Sequence, residues 1–94
     1  MNKAIGSSWK DVRRELFTEE EILESNLRVA LIGEIIKARK EEGLSQKRLE
    51  SLCGVKQPVI ARMESGASDP QLGTVLKILS SLGKTLEIVP LKSE

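Results

Sequence analysis

The segment from residue 45 to residue 66 constrains the fold of this chain more than any other, because it marks two short helices joined by a tight turn. Ser45 is a good N-cap for the first helix, since its hydroxyl can accept a hydrogen bond from a free backbone N–H. Gly54 can adopt the left-handed conformation that ends this helix. The chain is then expected to turn at residues 53 to 55 and to restart as a helix at Lys56. Two helices connected in this way predict a DNA-reading unit.

The segment also matches the pattern of a known family. The matching residues inside it are Ser45, Gln46, Leu49, Gly54, Val55, Gln57, Pro58, Ile60, Arg62, Glu64 and Gly66. It therefore resembles the Cro/C1-type (Xre) helix-turn-helix family, and the resemblance extends over roughly residues 27 to 83. It implies an all-α, lambda-repressor-like bundle whose second motif helix enters the DNA major groove. Glu50 departs from the pattern, because the family usually has a small alanine there.

Helical spacing separates core positions of this unit from exposed ones. Leu49 and Leu52 are predicted to share one buried face of the first helix, and Ile60 and Met63 are predicted to be buried in the second. The family resemblance implies that Arg39 and Glu64 form a structural ion pair between helices. These residues are therefore expected to form the scaffold and not to read DNA.

The polar face of the unit supplies the candidate DNA contacts. They are Ser45, Gln46, Lys47, Lys56, Gln57, Pro58, Val59 and Arg62. Gln46 begins a helix and is expected to contact a phosphate. The amide of Gln57 can pair bidentately with adenine, Val59 can contact a thymine methyl group, and Arg62 suits guanine or a phosphate.

Charge is distributed unevenly along the 94 residues, although the net charge is only +1. Residues 37 to 62 hold seven basic and three acidic side chains, a net charge of +4. Residues 1 to 26 hold four basic and six acidic side chains, a net charge of −2. This asymmetry favours one surface for DNA and a second surface for a basic partner, and the alternative is that the acidic run is a solvated helix face.

The N-terminal segment also carries helix signals. Trp9, Val12 and Leu16 have helical spacing and predict a helix over about residues 9 to 16. Thr18 and Glu21 form a capping box that predicts a second helical run from about residue 19 to about residue 42. We expect this run to break near residues 25 and 26, which divides the chain into an N-terminal extension (1–25), a DNA-binding domain (26–83) and a C-terminal tail (84–94).

The C-terminal part predicts one more helix and a strand. Pro70 is expected in the first turn of the helix, and Gly83 is expected to end it. Its apolar stripe is predicted to consist of Leu72, Val75, Leu76, Leu79 and Leu82. In residues 84 to 91, Leu86, Ile88 and Pro90 alternate with Thr85, Glu87 and Val89, and several of these residues are β-branched. This pattern favours a strand. A single strand needs a partner, so Leu86 and Ile88 are predicted to form a homodimer interface. The alternative is an extended tail lying on the core.

Catalysis has little support in the composition. With no histidine and a single cysteine, Cys53, the chain offers neither a Ser-His dyad nor a zinc site, so no enzyme activity, metal or cofactor is expected. No stretch approaches the roughly 20 apolar residues of a membrane span, and the N-terminus lacks the apolar centre of a signal peptide. A cytoplasmic protein is the expectation.

A narrower resemblance covers nearly the whole chain. The short length, the N-terminal helical extension and the ending from residue 80 to residue 91 look like the HigA-type antitoxins. This likeness implies a protein that neutralises a small basic RelE-like toxin, an mRNA-cleaving RNase. It also implies a dimer that represses its own operon at an inverted repeat in double-stranded DNA. The side chains predicted to contact the toxin are Trp9, Val12, Leu16, Glu19 and Glu20. The alternatives are a phage-type repressor without a toxin and a helical interaction module that does not bind DNA.

Overall fold

The computed structural model of the chain describes residues 16 to 91, and four helices lie wholly within this range. They are α1 (Glu19–Glu41), α2 (Gln46–Cys53), α3 (Gln57–Glu64) and α4 (Leu72–Ser81). The predicted all-α class is therefore confirmed. By its internal contacts the chain divides into two units, residues 1 to 31 and residues 32 to 94. None of the helices in the described part is long and apolar enough to cross a membrane.

Helix α1 begins with the predicted capping box. The backbone N–H of Glu21 donates to Thr18 Oγ1 at 3.0 Å, and Glu21 Oε1 accepts from the backbone N–H of Thr18 at 2.9 Å. The break predicted near Ser25 and Asn26 is wrong, because α1 continues through both residues. Asn26 therefore does not act as an N-cap, and the domain boundary at residue 25 stays a prediction. The helix predicted over residues 9 to 16 lies outside the described residues except for Leu16, which is helical.

The hydrophobic core described by the structure lies in the second unit, where α2 packs against both α3 and α4. Five side chains are fully buried: Ile35, Leu49, Ile60, Met63 and Ile78. The predicted burial of Leu49, Ile60 and Met63 is thus confirmed. The predicted burial of Leu52 is wrong, because this side chain is about half exposed near the end of α2.

The buried face of α4 matches the predicted stripe in part, because Val75, Leu79 and Leu82 are buried as predicted. Val75, Ile78 and Leu79 are the buried residues of the helix, whereas Leu72 and Leu76 are exposed. An apolar helix with leucines on several sides does not reveal which side faces the core. Pro70 also lies before the helix and not in its first turn, since Gln71 is the N-cap.

The strand predicted over residues 84 to 91 is not formed. These residues have no regular secondary structure, and no strand occurs elsewhere between residues 16 and 91. A strand is defined by hydrogen bonds to a neighbouring strand, and this part of the chain offers no edge to pair with. The alternating pattern and the β-branched residues were therefore not sufficient to make a strand within one chain.

Candidate nucleic-acid interface

Helices α2 and α3 are joined by a three-residue turn over residues 54 to 56. Ser45 Oγ accepts a hydrogen bond of 2.9 Å from the backbone N–H of Arg48, which starts α2 as expected. Gly54 ends α2 with a φ of 81°, a left-handed conformation that side-chain-bearing residues rarely adopt. Helix α3 begins at Gln57, one residue later than the sequence indicated, with Pro58 in its first turn. The local sequence signals therefore place both motif helices to within one residue.

The structure keeps all eight predicted DNA contacts at or near the surface. Five of these side chains are exposed: Ser45, Lys47, Lys56, Pro58 and Arg62. The other three are half-buried: Gln46, Gln57 and Val59. The polar face of α3 is thus available to a partner while Ile60 and Met63 anchor its opposite face.

A chain of side-chain hydrogen bonds connects α1, α2 and α3. Arg39 forms a bidentate pair with Glu64, in which Nε donates to Oε2 and Nη2 donates to Oε1, both at 2.7 Å. Gln46 Nε2 donates to Glu64 Oε1 at 2.9 Å, and Gln57 Nε2 donates to Gln46 Oε1 at 2.8 Å. Arg39 Nη1 also donates to the backbone carbonyl of Leu44 at 2.8 Å. The predicted scaffold pair and two predicted DNA contacts therefore belong to one connected network.

The ion pair within this network is poorly accessible to solvent. The side chains of Arg39 and Glu64 are 11% and 7% exposed. Burial raises the pKa of Glu64, but hydrogen bonds from Arg39 and Gln46 outweigh it and hold that pKa below its ordinary value of 4.5. The hydrogen bond that Arg39 donates to Glu64 also raises the pKa of Arg39. Both groups therefore remain charged at neutral pH.

Glu50, the residue that departs from the family pattern, lies between the two motif helices. Its side chain is 19% exposed, and its Oε1 atom is buried. Lys47 Nζ lies 3.1 Å from this Oε1 as an ion pair, and Lys56 Nζ lies 4.0 Å from Oε2. The carboxylate also lies close enough to the backbone N–H of Gln57 for that group to lower its pKa. Glu50 therefore supplies an anion to the N-terminus of α3, where the helix dipole favours negative charge.

The ionisation of Glu50 follows from these neighbours. The ammonium of Lys47 lowers the pKa of Glu50, burial opposes this effect, and the N–H of Gln57 and the ammonium of Lys56 lower the pKa further. The net direction is downward, so the group is a carboxylate at neutral pH. From the sequence alone, Glu50 is only a departure from the family pattern, because its position beside residue 57 requires the three-dimensional turn.

A shallow groove beside the turn adds four residues that were not predicted from the sequence as DNA contacts: Arg48, Glu50, Ser51 and Gly54. Its lining comprises Ser45, Lys47, Arg48, Glu50, Ser51, Gly54 and Lys56. Arg48 is exposed, and Ser51 Oγ donates to the Arg48 carbonyl at 2.7 Å. The basic cluster in residues 37 to 62 was the available signal for Arg48. Arg48, together with Lys47 and Lys56, gives this groove a positive rim.

The residues predicted to contact a toxin are only partly described. Trp9 and Val12 lie outside the described residues, whereas Leu16, Glu19 and Glu20 are exposed. Phe17, which the sequence analysis did not assign, is 47% exposed and lines a shallow groove within the first unit. The described part of the predicted toxin surface thus combines exposed apolar and acidic side chains.

The two residues predicted to form a dimer interface are also accessible. Leu86 is 44% exposed and Ile88 is fully exposed. Val89 and Leu91 in the same segment are exposed as well. Apolar side chains therefore remain uncovered in the single chain.

Known proteins resemble this chain at the levels of sequence and structure. The helix-turn-helix family model matches residues 35 to 89. A Haemophilus influenzae protein described as an uncharacterized HTH-type transcriptional regulator is 60% identical over 94 residues, which cover 98% of this chain and 96% of that protein. A second such regulator, from Sinorhizobium fredii, is 36% identical over 59 residues, which cover 62% of this chain and 78% of that protein.

One similar structure is a chain of a toxin–antitoxin module from Streptococcus pneumoniae. It is 68% identical, superposes with a TM-score of 0.74, and the match covers 96% of this chain and 100% of that chain. The family model spans more than half of the chain, and the Haemophilus protein matches it along almost its entire length. This chain therefore belongs to the Cro/C1-type helix-turn-helix family.

Proposed function

We propose that this protein is an antitoxin that neutralises a RelE-like mRNA-cleaving toxin and, as a dimer, represses its own operon through the helix-turn-helix. The DNA-binding half of the proposal depends on one observation, the hydrogen bond that fixes the Gln57 amide at the start of α3. The toxin-binding half is supported by the acidic N-terminal segment and by the likeness to a chain of a toxin–antitoxin module.

The fixed amide of Gln57 retains the groups needed to read adenine. A glutamine amide nitrogen carries two hydrogens, and Gln57 uses one of them on Gln46. The second hydrogen can be donated to adenine N7, while Gln57 Oε1 accepts from adenine N6. Because Gln46 holds the amide in place before DNA binds, less side-chain freedom is lost in the complex.

Gln46 can serve a phosphate in the same way. One hydrogen of its Nε2 bonds Glu64, which leaves the other for a phosphate oxygen beside the N-terminus of α2. The exposed side chains of Ser45, Lys47, Lys56 and Pro58 surround these amides and would contact the DNA backbone. Val59 and Arg62 follow along α3, where they would contact a thymine methyl group and a guanine or phosphate.

A dimer would place two such surfaces on one operator. We propose that a second copy covers the exposed apolar residues Leu86 and Ile88. Two recognition helices about 34 Å apart would then meet successive major grooves on one side of the duplex. The operator is accordingly expected to be an inverted repeat with half-sites about one helical turn apart.

Replacing Gln57 with alanine tests the DNA-reading role. We expect operator affinity to fall by about 1 to 3 kcal/mol and discrimination to be lost at one adenine in each half-site. Titration of promoters that carry each of the four bases at that position measures the loss of affinity, and footprinting shows protection of both half-sites. Gln71→Ala is the matched control, because Gln71 is an exposed glutamine at the start of α4. An equal loss on all sequences would contradict the adenine contact, and no promoter binding by the unmodified chain would contradict repression.

Neutralising two acidic residues tests the toxin surface. The double variant Glu19→Gln, Glu20→Gln removes charge from the first turn of α1, where both side chains are exposed. We expect it to weaken binding of the basic product of the neighbouring gene by about tenfold, with a weaker effect at high salt. Calorimetric titration of the purified pair measures the change. The control is Glu41→Gln, Glu42→Gln near the other end of α1, and an equal effect in both variants would refute a localised toxin contact.

A further inference from the structure

We propose that Glu50 is a specificity-determining residue of the DNA-reading surface, because its carboxylate keeps Lys47 and Lys56 from binding the phosphates of unrelated DNA. This inference rests on the DNA-binding function proposed above and adds a residue to it. It starts from the position of one acidic side chain in a groove whose rim is basic.

The geometry ties both ammonium groups to the same carboxylate. Lys47 Nζ lies 3.1 Å from Glu50 Oε1, and Lys56 Nζ lies 4.0 Å from Oε2. The two lysine side chains are 81% and 79% exposed, whereas that of Glu50 is only 19% exposed. The lysines are therefore free to move towards a duplex, but the carboxylate between them is not.

Glu50 is held in this position by its surroundings. Its side chain is only 19% exposed, and its Oε1 atom is buried. The carboxylate lies beside the start of α3, the end of the helix that would enter the major groove, and the backbone N–H of Gln57 there contributes to lowering its pKa. A carboxylate that is buried to this extent has little room to move, so the negative charge stays beside the lysines when DNA approaches.

This fixed charge affects unrelated DNA more than the operator. Binding to unrelated DNA depends almost entirely on cations that replace counterions at phosphates. Each lysine must leave the carboxylate to make such a contact, and the carboxylate repels the phosphates in addition. On the operator, base contacts by Gln57 add affinity that does not depend on these lysines. Glu50 thus widens the difference between operator and unrelated DNA.

Glu50→Gln in the 94-residue chain tests the proposal, because glutamine keeps the size and a polar oxygen of the side chain and removes the charge. Affinity is measured for a promoter duplex and for a random-sequence duplex of equal length between 50 and 200 mM salt. We expect random-duplex binding to tighten at least about fivefold, the effect of one unit-charge interaction at 4 Å in water. The salt slope should steepen by about 0.9 for each lysine that gains a phosphate. Promoter affinity should rise less, so the ratio of the two affinities falls.

A lysine variant separates this role from a structural one. On the random-sequence duplex, Lys47→Gln is expected to change the salt slope little in the unmodified chain, and to reduce it by about 0.9 in the Glu50→Gln background. Glu50→Ala, with the residue usual in the family, must shift the slope in the same direction, and it serves as the second variant if Glu50→Gln unfolds. Unchanged slopes in both Glu50 variants would overturn the inference while leaving DNA binding intact. Failure of the unmodified chain to bind either duplex would instead overturn the proposed function.

Discussion

Replacing Arg39 with alanine is expected to lower the free energy of unfolding by about 3 to 5 kcal/mol, because the Glu64 carboxylate then loses its charge partner while remaining buried. The side chain of Glu64 is 7% exposed, and Arg39 donates two hydrogen bonds of 2.7 Å to it. Domains of this size are stable by only about 5 to 15 kcal/mol in total. The variant should therefore unfold at a much lower urea concentration.

An exposed ion pair of α1 provides the matched control. Arg28 Nη2 lies 3.5 Å from Glu24 Oε2, and the two side chains are 39% and 68% exposed. Arg28→Ala should cost no more than about 1 kcal/mol, because exposed pairs gain little from their Coulomb attraction. Urea denaturation measures the free energy of unfolding of both variants. An equal decrease in the two arginine variants would show that burial of the Arg39 pair adds nothing to stability.

The pH dependence of stability supplies an independent check on the same pair. The pKa of Glu64 in the folded chain lies below its ordinary value of 4.5. Its contribution to stability is therefore fully present above the unfolded pKa and is lost as the pH falls through the lower, folded value. Glu64→Gln should remove this part of the acid sensitivity, so its stability changes less than that of the unmodified chain as the pH falls below about 4.5.

Promoter affinity is expected to fall by about 10³ to 10⁵ between 50 and 200 mM salt, the range for proteins that make about 6 to 10 phosphate contacts. Each chain exposes four cationic side chains on the motif helices and their turn: Lys47, Arg48, Lys56 and Arg62. Two chains on one operator would supply enough of them for this number of contacts. Electrophoretic or fluorescence titration at several salt concentrations gives the slope directly.

The control for this second prediction is a lysine of α4. Lys77→Gln changes the net charge as much as Arg48→Gln does, and both side chains are exposed. We expect Arg48→Gln to reduce the slope by about 0.9 for each phosphate contact that it removes, and Lys77→Gln to leave it unchanged. A slope near zero in the unmodified chain would indicate that the motif surface does not meet phosphates at all.

Features that depend on neighbouring residues could be predicted from the sequence. The Thr18–Glu21 capping box, the Ser45 cap and the left-handed Gly54 each involve residues within one turn of a helix. The burial of Ile60 and Met63 also followed, because α3 is short and has few apolar side chains. Such signals identify the motif before any tertiary contact is known.

Features that depend on distant residues could not be predicted in this way. The half-exposed Leu52 and the buried Ile78 both reflect how α2 and α4 are rotated in the packed core, and an apolar helix is compatible with several rotations. The position of Glu50 beside the start of α3 requires the intervening turn to bring the two helices together. The irregular conformation of residues 84 to 91 depends on whether a neighbouring strand exists.

The candidate site shows the same division. Its residue types followed from the family resemblance and from helix positions, which placed Gln46 and Gln57 at the starts of α2 and α3. The hydrogen bond between their amides, 11 positions apart in sequence, did not follow, since it depends on the side-chain conformations of both residues. The arrangement of the amides therefore had to come from the structure.

The continuous link from Arg39 through Glu64 and Gln46 to Gln57 has an evolutionary consequence. A descendant that exchanges residue 57 to adopt a new operator also removes a partner from Gln46, and through it disturbs the buried ion pair. Divergence of promoter choice among paralogues should therefore proceed by joint substitutions at positions 46 and 57. Arg62 lies outside this link and can be exchanged alone, so a change at this position offers the easier route to a different base preference.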